Sequence, residues 1–320
     1  MTQFTPRGGT SLVVTAGVAL LLDLALGDPP GRWHPVAWMG TFLGKVRSAA
    51  PTDGRWRPFL AGALVVAVGA GGCVAAGLLI TSISRALPIP LDLLVEGAAL
   101  KLTLSVRGLA AAAGEVRSAL AAGDLPGARR RLAWHLVSRD TNSLDAAHVA
   151  AAAIESVAEN ASDSAVAPLV WFAVGGLPAA LAYRFVNTAD AMLGYRDPDR
   201  EWLGKCAARL DDGLNLVPAR LTALLMLSFG RLDGGQFAPA WRVWWRDCLR
   251  TASPNAGHPM AAAAGVLGVE LEKAGAYVLG AGQRLPCDAD VARAVRLLWL
   301  TVAGLLGLMA AGGLAWVARR

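Results

Sequence analysis

Three acidic residues share one face of a predicted helix. Glu155, Glu159 and Asp163 are spaced by four residues, so at about 100° per residue their side chains fall within about 80° of one another. No lysine or arginine lies between Arg139 and Arg184 to offset them. This stripe runs directly into an apolar segment, where carboxylates are costly and indicate a functional site. Because oxygen ligands suit Mg²⁺ held jointly with a phosphate, the pattern favours a metal site over a solvated helix face.

A second polar cluster follows, in which acids and arginines alternate beside apolar helices. Its members are Arg184, Asn187, Thr188, Asp190, Tyr195, Arg209, Asp211, Asp212, Asn215 and Arg220. The planar guanidinium group of arginine matches phosphate oxygens, so this pattern indicates a site for a metal and a phosphate. A structural ion-pair network at a membrane surface is the alternative interpretation.

The histidines and cysteines form no metal-binding pattern. His34, His135, His148 and His258 are isolated along the chain, and such histidines are more often structural than catalytic. The four cysteines are scattered and indicate neither a disulfide framework nor a zinc site. The net charge of +6 is modest, and no nucleic-acid-binding motif accompanies it, so no nucleic-acid partner is expected.

The elements that position these residues are predicted membrane helices. Of the 320 residues, 55% are apolar and 17% are charged, and the mean hydropathy is +0.45. These values exclude a disordered chain and disfavour a water-soluble one. Residues 59–80 and 297–317 are uncharged and long enough to cross a bilayer. Residues 11–26, interrupted only by Asp23, predict a third span, with a cleaved signal peptide as the alternative.

Three more apolar segments are interrupted by charged residues, proline or glycine. They are residues 87–104, 165–183 and 214–229. Each could cross the membrane, re-enter it or pack inside the protein, and the two prolines and two glycines of 165–183 favour a re-entrant or buried segment. The predicted fold is an all-α, multi-pass integral membrane helical bundle, with four to six membrane helices in one membrane-embedded unit over residues 1–320.

Loop charge predicts the orientation of the chain. Basic residues are concentrated between the first two apolar runs and again over residues 107–139, which favours the cytoplasm for both regions. Within the second region the sequence predicts cytoplasmic helical segments over 114–122 and 128–137, separated by a turn at 123–127.

Short motifs along nearly the whole chain resemble the CobD/CbiB family, the adenosylcobinamide-phosphate synthases of cobalamin biosynthesis. In chain order they are Gly27-Asp28-Pro29-Pro30, His34-Pro35-Val36, Arg139-Asp140-Thr141, Glu155-Ser156-Val157-Ala158-Glu159-Asn160 with Asp163 and Pro168, Asn187 to Tyr195, Arg209-Leu210-Asp211-Asp212 with Asn215, Pro218-Ala219-Arg220, and Ser253-Pro254-Asn255-Ala256-Gly257. Their order and spacing make the resemblance specific. It is weaker at Ser164, where glycine is expected, and over residues 270–287, which match a glycine-rich pattern only loosely.

The resemblance implies a carbon–nitrogen ligase. The reaction would join (R)-1-aminopropan-2-ol or its phosphate to a propionate of adenosylcobyric acid, with ATP consumed, giving adenosylcobinamide or its phosphate. A carboxylate is a poor electrophile, so activation as an acyl phosphate is expected, with Mg²⁺ on the nucleotide oxygens. The expected partners are the corrinoid substrate, the lipid bilayer and other cobalamin-pathway enzymes. The expected location is the bacterial inner membrane, with the active site facing the cytoplasm.

In this scheme the polar residues take three predicted roles. Those expected to bind Mg²⁺ are Glu155, Glu159, Asp163, Asp211 and Asp212. Those expected to bind phosphate, propionate or nucleotide are Arg139, Arg184, Arg209, Arg220, Asn160 and Asn215. Those expected to orient the amine, take its proton or contact the corrin are Asp140, Asn187, Asp190 and His34.

Two other functions fit parts of the pattern. A membrane prenyltransferase also uses acidic residues on apolar helices to hold Mg²⁺ and a diphosphate, but its aspartate-rich motifs differ from the glutamates and prominent arginines of this sequence. A cation transporter could use membrane carboxylates as an ion path. The large basic extramembrane segment and the absence of visible inverted repeats disfavour a transporter.

Overall fold

The computed structural model describes residues 9–194 and 201–318, in which the regular secondary structure is helical apart from one short hairpin. The helices are α1 (Gly9–Leu26), α2 (Pro35–Ala49), α3 (Trp56–Ser84), α4 (Ile89–Lys101), α5 (Val106–Ala121), α6 (Leu125–His135), α7 (Ala146–Ala161), α8 (Ala167–Leu193), α9 (Glu201–Phe229), α10 (Phe237–Asp247), α11 (Gly257–Leu267) and α12 (Asp288–Ala318). Strands β1 (Leu271–Lys273) and β2 (Tyr277–Leu279) pair antiparallel. The all-α prediction is confirmed, and the hairpin is an addition to it.

Four helical stretches are long and apolar enough to cross a membrane. They are Trp56–Ser84, Ala146–Leu193, Glu201–Asp233 and Asp288–Ala315. They include the predicted segments 59–80, 165–183 and 214–229 and most of 297–317, while Ser11–Leu26 forms a shorter apolar helix. The chain is therefore a multi-pass membrane protein, as the sequence predicts.

The predicted segment 87–104 forms a much shorter helix. Its helix, α4, has 13 residues and is about 20 Å long at 1.5 Å per residue, less than the hydrocarbon thickness of a bilayer. The charged residues Glu96 and Lys101 are both buried. Of the alternatives predicted for this segment, packing inside the protein fits α4 best.

The described chain divides into two compact units. Unit 1 comprises residues 1–105, 167–214 and 306–320, and unit 2 comprises residues 106–166 and 215–305. In unit 1, α3 packs closely on α8. The approach is so close at Gly77 that a Cβ there would come within 2.5 Å of the Pro178 backbone. The prediction of one membrane-embedded unit over the whole chain stays a prediction.

The apolar segment 165–183 is broken within α8. Gly175 and Gly176 have non-helical backbone angles, and Gly176 has a φ of 67°, which favours glycine. Pro178 follows two residues later and lacks the N–H of a regular helix. This kink within unit 1 is the structural counterpart of the broken segment that the sequence predicts.

Unit 2 is built around α7, which contacts α5, α6, α11 and β1. The predicted helices 114–122 and 128–137 correspond to parts of α5 and α6, and the turn between them contains Gly123 with a φ of 72°. Asp124 caps α6, since its Oδ1 accepts a hydrogen bond of 2.8 Å from the Gly127 N–H. Small alanine side chains let the surrounding helices approach α7 closely.

Candidate active site

A cavity of about 190 Å³ in unit 2 brings acidic and basic side chains together. Its wall is formed by α7, the segment that follows α6, and the β1–β2 hairpin. The lining residues are Leu136, Val137, Ser138, Arg139, Ala152, Glu155, Ser156, Glu159, Lys273 and Tyr277. Three of them, Arg139, Glu155 and Glu159, are residues for which the sequence predicts phosphate or metal binding.

Helix α7 places the two glutamates one turn apart. Its first turn is capped by Asp145, whose Oδ1 accepts a hydrogen bond of 2.9 Å from the His148 N–H. All residues from Val149 to Ala158 are buried. The helix therefore carries Glu155 into the interior of unit 2, where its side chain is 8% exposed, while Glu159 is only partly buried.

The carboxylate of Glu155 is incompletely satisfied by the protein. Its Oε2 lies 3.6 Å from Arg139 Nη2, which is longer than a good charge-assisted hydrogen bond. Its Oε1 is buried and has no hydrogen-bond partner among the described residues. An unsatisfied buried carboxylate oxygen is costly. Such an atom in the wall of a cavity is a candidate for contact with a ligand.

The loop that carries Arg139 is anchored at both ends. The Ser156 hydroxyl donates a hydrogen bond of 2.9 Å to the Leu136 carbonyl, and the Thr141 hydroxyl donates one of 3.0 Å to the Arg129 carbonyl. Both anchors fix the backbone on either side of Arg139. Its guanidinium group is 30% exposed and can reach both the Glu155 carboxylate and a ligand in the cavity.

The β1–β2 hairpin contributes two cavity residues that sequence reasoning missed. Lys273 pairs with Tyr277 in the hairpin register, and its Nζ lies 5.9 Å from the Tyr277 ring. Burial, followed by the charges of Glu155 and Glu159, raises the pKa of Tyr277 above its usual range, so the phenol stays protonated. The only sequence signal for this hairpin is the loose glycine-rich pattern over residues 270–287.

Other predicted residues of unit 2 lie outside the cavity wall. The Asn160 amide donates a hydrogen bond of 2.9 Å to the Ser156 carbonyl within α7. Asp163 lies in the single π-helical turn that follows α7. Asp140 is exposed, and its Oδ1 accepts a hydrogen bond of 3.0 Å from the Asn142 N–H, as in an Asx turn. Their predicted binding and catalytic roles stay predictions.

Arg220 and Asn215 belong to the part of α9 that lies in unit 2. Arg220 donates hydrogen bonds to the Leu216 carbonyl and to Asn255 Oδ1, at 2.8 and 3.3 Å. Asn215 is buried. Burial, followed by the charge of Arg220, lowers the pKa of the nearby His258 to about 4, so this imidazole is neutral at pH 7.

The second predicted cluster is partly assembled in unit 1. Arg184 donates a hydrogen bond of 3.4 Å to Asn187 Oδ1, and the Asn187 amide donates one of 3.2 Å to Asp211 Oδ1. Asp190 lies on the same helix, and its carbonyl accepts the Gly194 N–H at 2.7 Å. The structure therefore brings together the guanidinium of Arg184, the amide of Asn187 and the carboxylate of Asp211, although Arg184 and Asp211 are 27 residues apart in the sequence.

A second cavity, of about 290 Å³, lies in unit 1. Its described wall is formed by Gly194, Glu201, Gly204, Lys205, Ala208, Arg209 and Asp212. Arg209 and Asp212 are thus close enough to act on one ligand. Tyr195, also part of the predicted cluster, lies outside the described residues.

His34 occupies a helix cap in unit 1. Its Nδ1 accepts a hydrogen bond of 3.2 Å from the Val36 N–H at the start of α2, and its Nε2 lies 3.7 Å from Asp28 Oδ1. Asp28 in turn accepts hydrogen bonds from Lys101 at 2.8 Å and from Ser105 at 2.6 Å. These contacts give His34 a structural role, and its predicted catalytic role stays a prediction.

No group of three His, Cys, Asp or Glu side chains in residues 9–194 and 201–318 is arranged to hold a metal ion by itself. Mg²⁺ does not require such a group, because it is commonly bound by one or two carboxylates together with substrate phosphates and water. Glu155 and Glu159 provide two carboxylates in one cavity, and the unsatisfied Oε1 of Glu155 is a free ligand position. The residues present therefore fit a phosphate-bound Mg²⁺.

Comparisons with known proteins identify the family. The family model described as CobD/Cbib protein matches residues 16–298. A probable cobalamin biosynthesis protein CobD from Methanothermobacter thermautotrophicus is 41% identical over 94% of this chain and 97% of its own length. The cobalamin biosynthesis protein CobD from Chromobacterium violaceum is 44% identical over 89% of this chain and 93% of its own length.

A third relative supports the same assignment. A probable cobalamin biosynthesis protein CobD from Pyrococcus abyssi is 41% identical over 93% of this chain and 95% of its own length. No solved structure shows a significant match. Since the family model covers most of the chain, this protein belongs to the CobD/CbiB family.

Proposed function

We propose that this protein acts in cobalamin biosynthesis as an adenosylcobinamide-phosphate synthase. It joins (R)-1-aminopropan-2-ol, or its phosphate, to a propionate of adenosylcobyric acid, and ATP drives the reaction. Family membership supports the pathway and favours this reaction over a prenyltransferase or a cation transporter. The structural observation that carries the proposal is a cavity in which a buried glutamate with an unsatisfied oxygen faces basic side chains.

The cavity in unit 2 is the proposed site of phosphate handling. Arg139 and Lys273 supply positive charge for phosphate oxygens, and the guanidinium of Arg139 can bind two oxygens at once. Glu155 and Glu159 are the proposed protein ligands of a nucleotide-bound Mg²⁺. When bound, Mg²⁺ would neutralise charge on the phosphate oxygens. The protonated Tyr277 hydroxyl can donate a hydrogen bond to the same group.

The reaction proceeds in two chemical steps. A propionate oxygen attacks the terminal phosphorus of ATP, which forms an acyl phosphate and releases ADP. The amine nitrogen then attacks the acyl carbon, the C–O bond to phosphate breaks, and the ammonium proton is lost to a base. Asp140, Asp190 and His34 are the proposed candidates for this base, and Asn187 is proposed to orient the amine.

The polar residues of the second cluster are proposed to bind the organic substrates. Arg184, Arg209 and Arg220 would pair with propionate or amine-side phosphate, since guanidinium groups bind both anions in a bidentate geometry. Asn160 and Asn215 are proposed to add amide hydrogen bonds. Asp163, Asp211 and Asp212 remain proposed Mg²⁺ ligands.

The proposed location is the bacterial inner membrane, with the site facing the cytoplasm, where ATP is present. The bilayer, the corrinoid substrate and other enzymes of the cobalamin pathway are the proposed partners. The apolar helices support a membrane location, and the basic segment between residues 107 and 139 supports a cytoplasmic position for that segment.

Product detection by mass spectrometry tests this function. Detergent-purified protein is incubated with adenosylcobyric acid, Mg²⁺, ATP and either aminopropanol or aminopropanol phosphate, and each component is omitted in turn. We expect an amide product with at least one amine, and loss of that product when ATP or Mg²⁺ is omitted. Product formation without ATP would contradict phosphate activation, and no product with either amine would contradict the proposed reaction.

A further inference from the structure

Helix α10 begins close to the end of a predicted membrane span. The span Glu201–Asp233 ends at Asp233, whose carboxylate pairs with Arg293 at 3.2 Å and with Arg296 at 2.7 Å, near the start of α12. These charges flank the apolar part of both helices and mark the polar edge of unit 2. Phe237 is four residues beyond Asp233, a distance of at most about 14 Å. Helix α10 therefore starts within about 14 Å of the polar end of this candidate span.

The buried face of α10 packs within unit 2. It consists of Ala240, Val243, Trp244 and Asp247, and it faces α11, where a Cβ at Gly265 would come within 2.8 Å of the Ala240 backbone. The Asp247 carboxylate also accepts a hydrogen bond of 2.8 Å from the Gly280 N–H. The rotation of α10 about its axis is thereby fixed.

A second face of α10, continued by Leu249 just beyond the end of the helix, carries large apolar side chains. Phe237, Trp241, Trp245 and Leu249 follow one another at four-residue spacing. Trp245 and Leu249 are each 72% exposed. The Trp241 ring stacks on Phe237 and on Trp245, with centroids 5.7 and 6.4 Å apart. Phe237 is also exposed, and Trp241 between these residues is half-buried. An apolar stripe of this kind indicates an interaction surface.

A third face of α10 carries the exposed residue Arg242. Residues 231–250 contain four arginines and two aspartates, and both aspartates are paired with arginine. Arg242, which is exposed, donates a hydrogen bond to the Ala238 carbonyl, and within the described residues it has no carboxylate partner. An aromatic stripe flanked by exposed arginine is typical of a helix that lies in a membrane interface and attracts anionic lipid.

We propose that α10 lies in the membrane–water interface. The stripe formed by Phe237, Trp241, Trp245 and Leu249 contacts the boundary between headgroups and acyl chains, and Arg242 binds the phosphate of an anionic phospholipid. This surface does not depend on the proposed reaction, since none of these residues lines the cavity in unit 2.

Fluorescence quenching in nanodiscs tests the apolar contact. Wild type, Trp245→Phe and Trp134→Phe are compared, because Trp134 is 83% exposed on α6 of the same unit and serves as a matched control. The difference in emission between wild type and each variant gives the fluorescence of the replaced tryptophan. We expect the fluorescence of Trp245 to be quenched by lipids brominated near the glycerol. We expect that of Trp134 to be quenched by aqueous iodide. Quenching of Trp245 by iodide, or by neither agent because a protein covers it, would overturn the proposal.

Thermal unfolding tests the choice of anionic lipid. The midpoint is measured in nanodiscs of phosphatidylcholine alone and with phosphatidylglycerol added. The control is Arg130→Gln, which replaces an exposed arginine on α6 of the same unit. We expect the added anionic lipid to raise the midpoint of wild type and of this control, and to raise that of Arg242→Gln by no more than half as much. Equal increments in all three proteins would overturn the assignment of Arg242 to anionic lipid.

Discussion

Glu155 and Asp247 are buried carboxylates of unit 2 with opposite surroundings. Asp247 is 0% exposed, and Arg246 binds both of its oxygens at 2.8 Å. The Asp247 carboxylate also accepts a hydrogen bond of 2.8 Å from the Gly280 N–H, and its Oδ1 lies 3.1 Å from Arg250 Nε. Glu155 is 8% exposed, its Oε2 lies 3.6 Å from Arg139 Nη2, and its Oε1 has no hydrogen-bond partner among the described residues.

This difference separates a structural carboxylate from a functional one. A fully paired carboxylate such as Asp247 holds elements together, here α10 and the residue after β2, and has little capacity left for a ligand. A carboxylate such as Glu155 keeps an open acceptor next to a cavity, which costs stability in the empty protein. Burial alone therefore does not identify the site; what distinguishes Glu155 is an unsatisfied buried oxygen on a residue that also lines a cavity.

The largest effect is expected for Glu159→Gln, which removes the second carboxylate of the cavity. We expect kcat for amide formation to fall by about 10²–10³-fold, the cost of removing one stabilising group from a reacting phosphate, because one proposed ligand of the nucleotide-bound Mg²⁺ is lost. Glu115→Gln is the matched control, since Glu115 is an exposed glutamate on α5 outside the cavity. Similar rates for the two variants would remove Glu159 from the site.

The next effect concerns stability. In Asp247→Asn the charge that binds Arg246 and Arg250 is lost, and we expect the free energy of unfolding to fall by about 2 kcal/mol, in the range for hydrogen bonds to charged groups. Activity per folded molecule should stay within about threefold of wild type, because Asp247 does not line the cavity. Denaturation followed by circular dichroism measures the first quantity, and an unchanged stability would contradict the structural role.

A smaller effect is expected for Lys273→Gln. The loss of one cation from the cavity should raise KM for ATP by about tenfold, which corresponds to about 1.4 kcal/mol, and leave kcat nearly unchanged if Lys273 binds phosphate in the ground state. Initial rates at varied ATP concentration test this prediction, with the exposed Lys45→Gln on α2 as the control. A fall in kcat with unchanged KM would place Lys273 in the chemical step.

The smallest effect is a pH dependence. Burial opposes the charge of Asp247, but the hydrogen bonds from Arg246 and Gly280 outweigh it and lower the pKa of Asp247 below its usual value. Its stabilising contribution is then complete above the unfolded pKa of about 3.9 and is lost as the pH falls below that value. The stability difference between wild type and Asp247→Asn should be constant from pH 5 to 8 and narrow below about pH 4. A constant difference at low pH would show that the charge of Asp247 is unimportant.

The sequence predicts most of the helices and part of the site. Four-residue spacing predicts that Glu155 and Glu159 share one helix face, and both residues line the cavity in unit 2. The glycines and prolines of 165–183 indicate the kink in α8. The sequence does not predict Lys273 and Tyr277 as cavity residues, because their strands have three residues each, too few for a periodic pattern. The pairing of Asn187 with Asp211 depends on the packing of α8 and α9 in unit 1, which local spacing does not specify.

The most direct test is a side-by-side measurement of amide formation by Glu155→Gln and Asp247→Asn, each corrected for its folded fraction. Both substitutions replace a buried carboxylate with an isosteric amide in the same unit. If incomplete hydrogen bonding marks the site, Glu155→Gln loses activity by about 10²-fold or more while it stays folded, and Asp247→Asn loses stability but retains activity. Full activity in Glu155→Gln would contradict the assignment of the active site to this cavity.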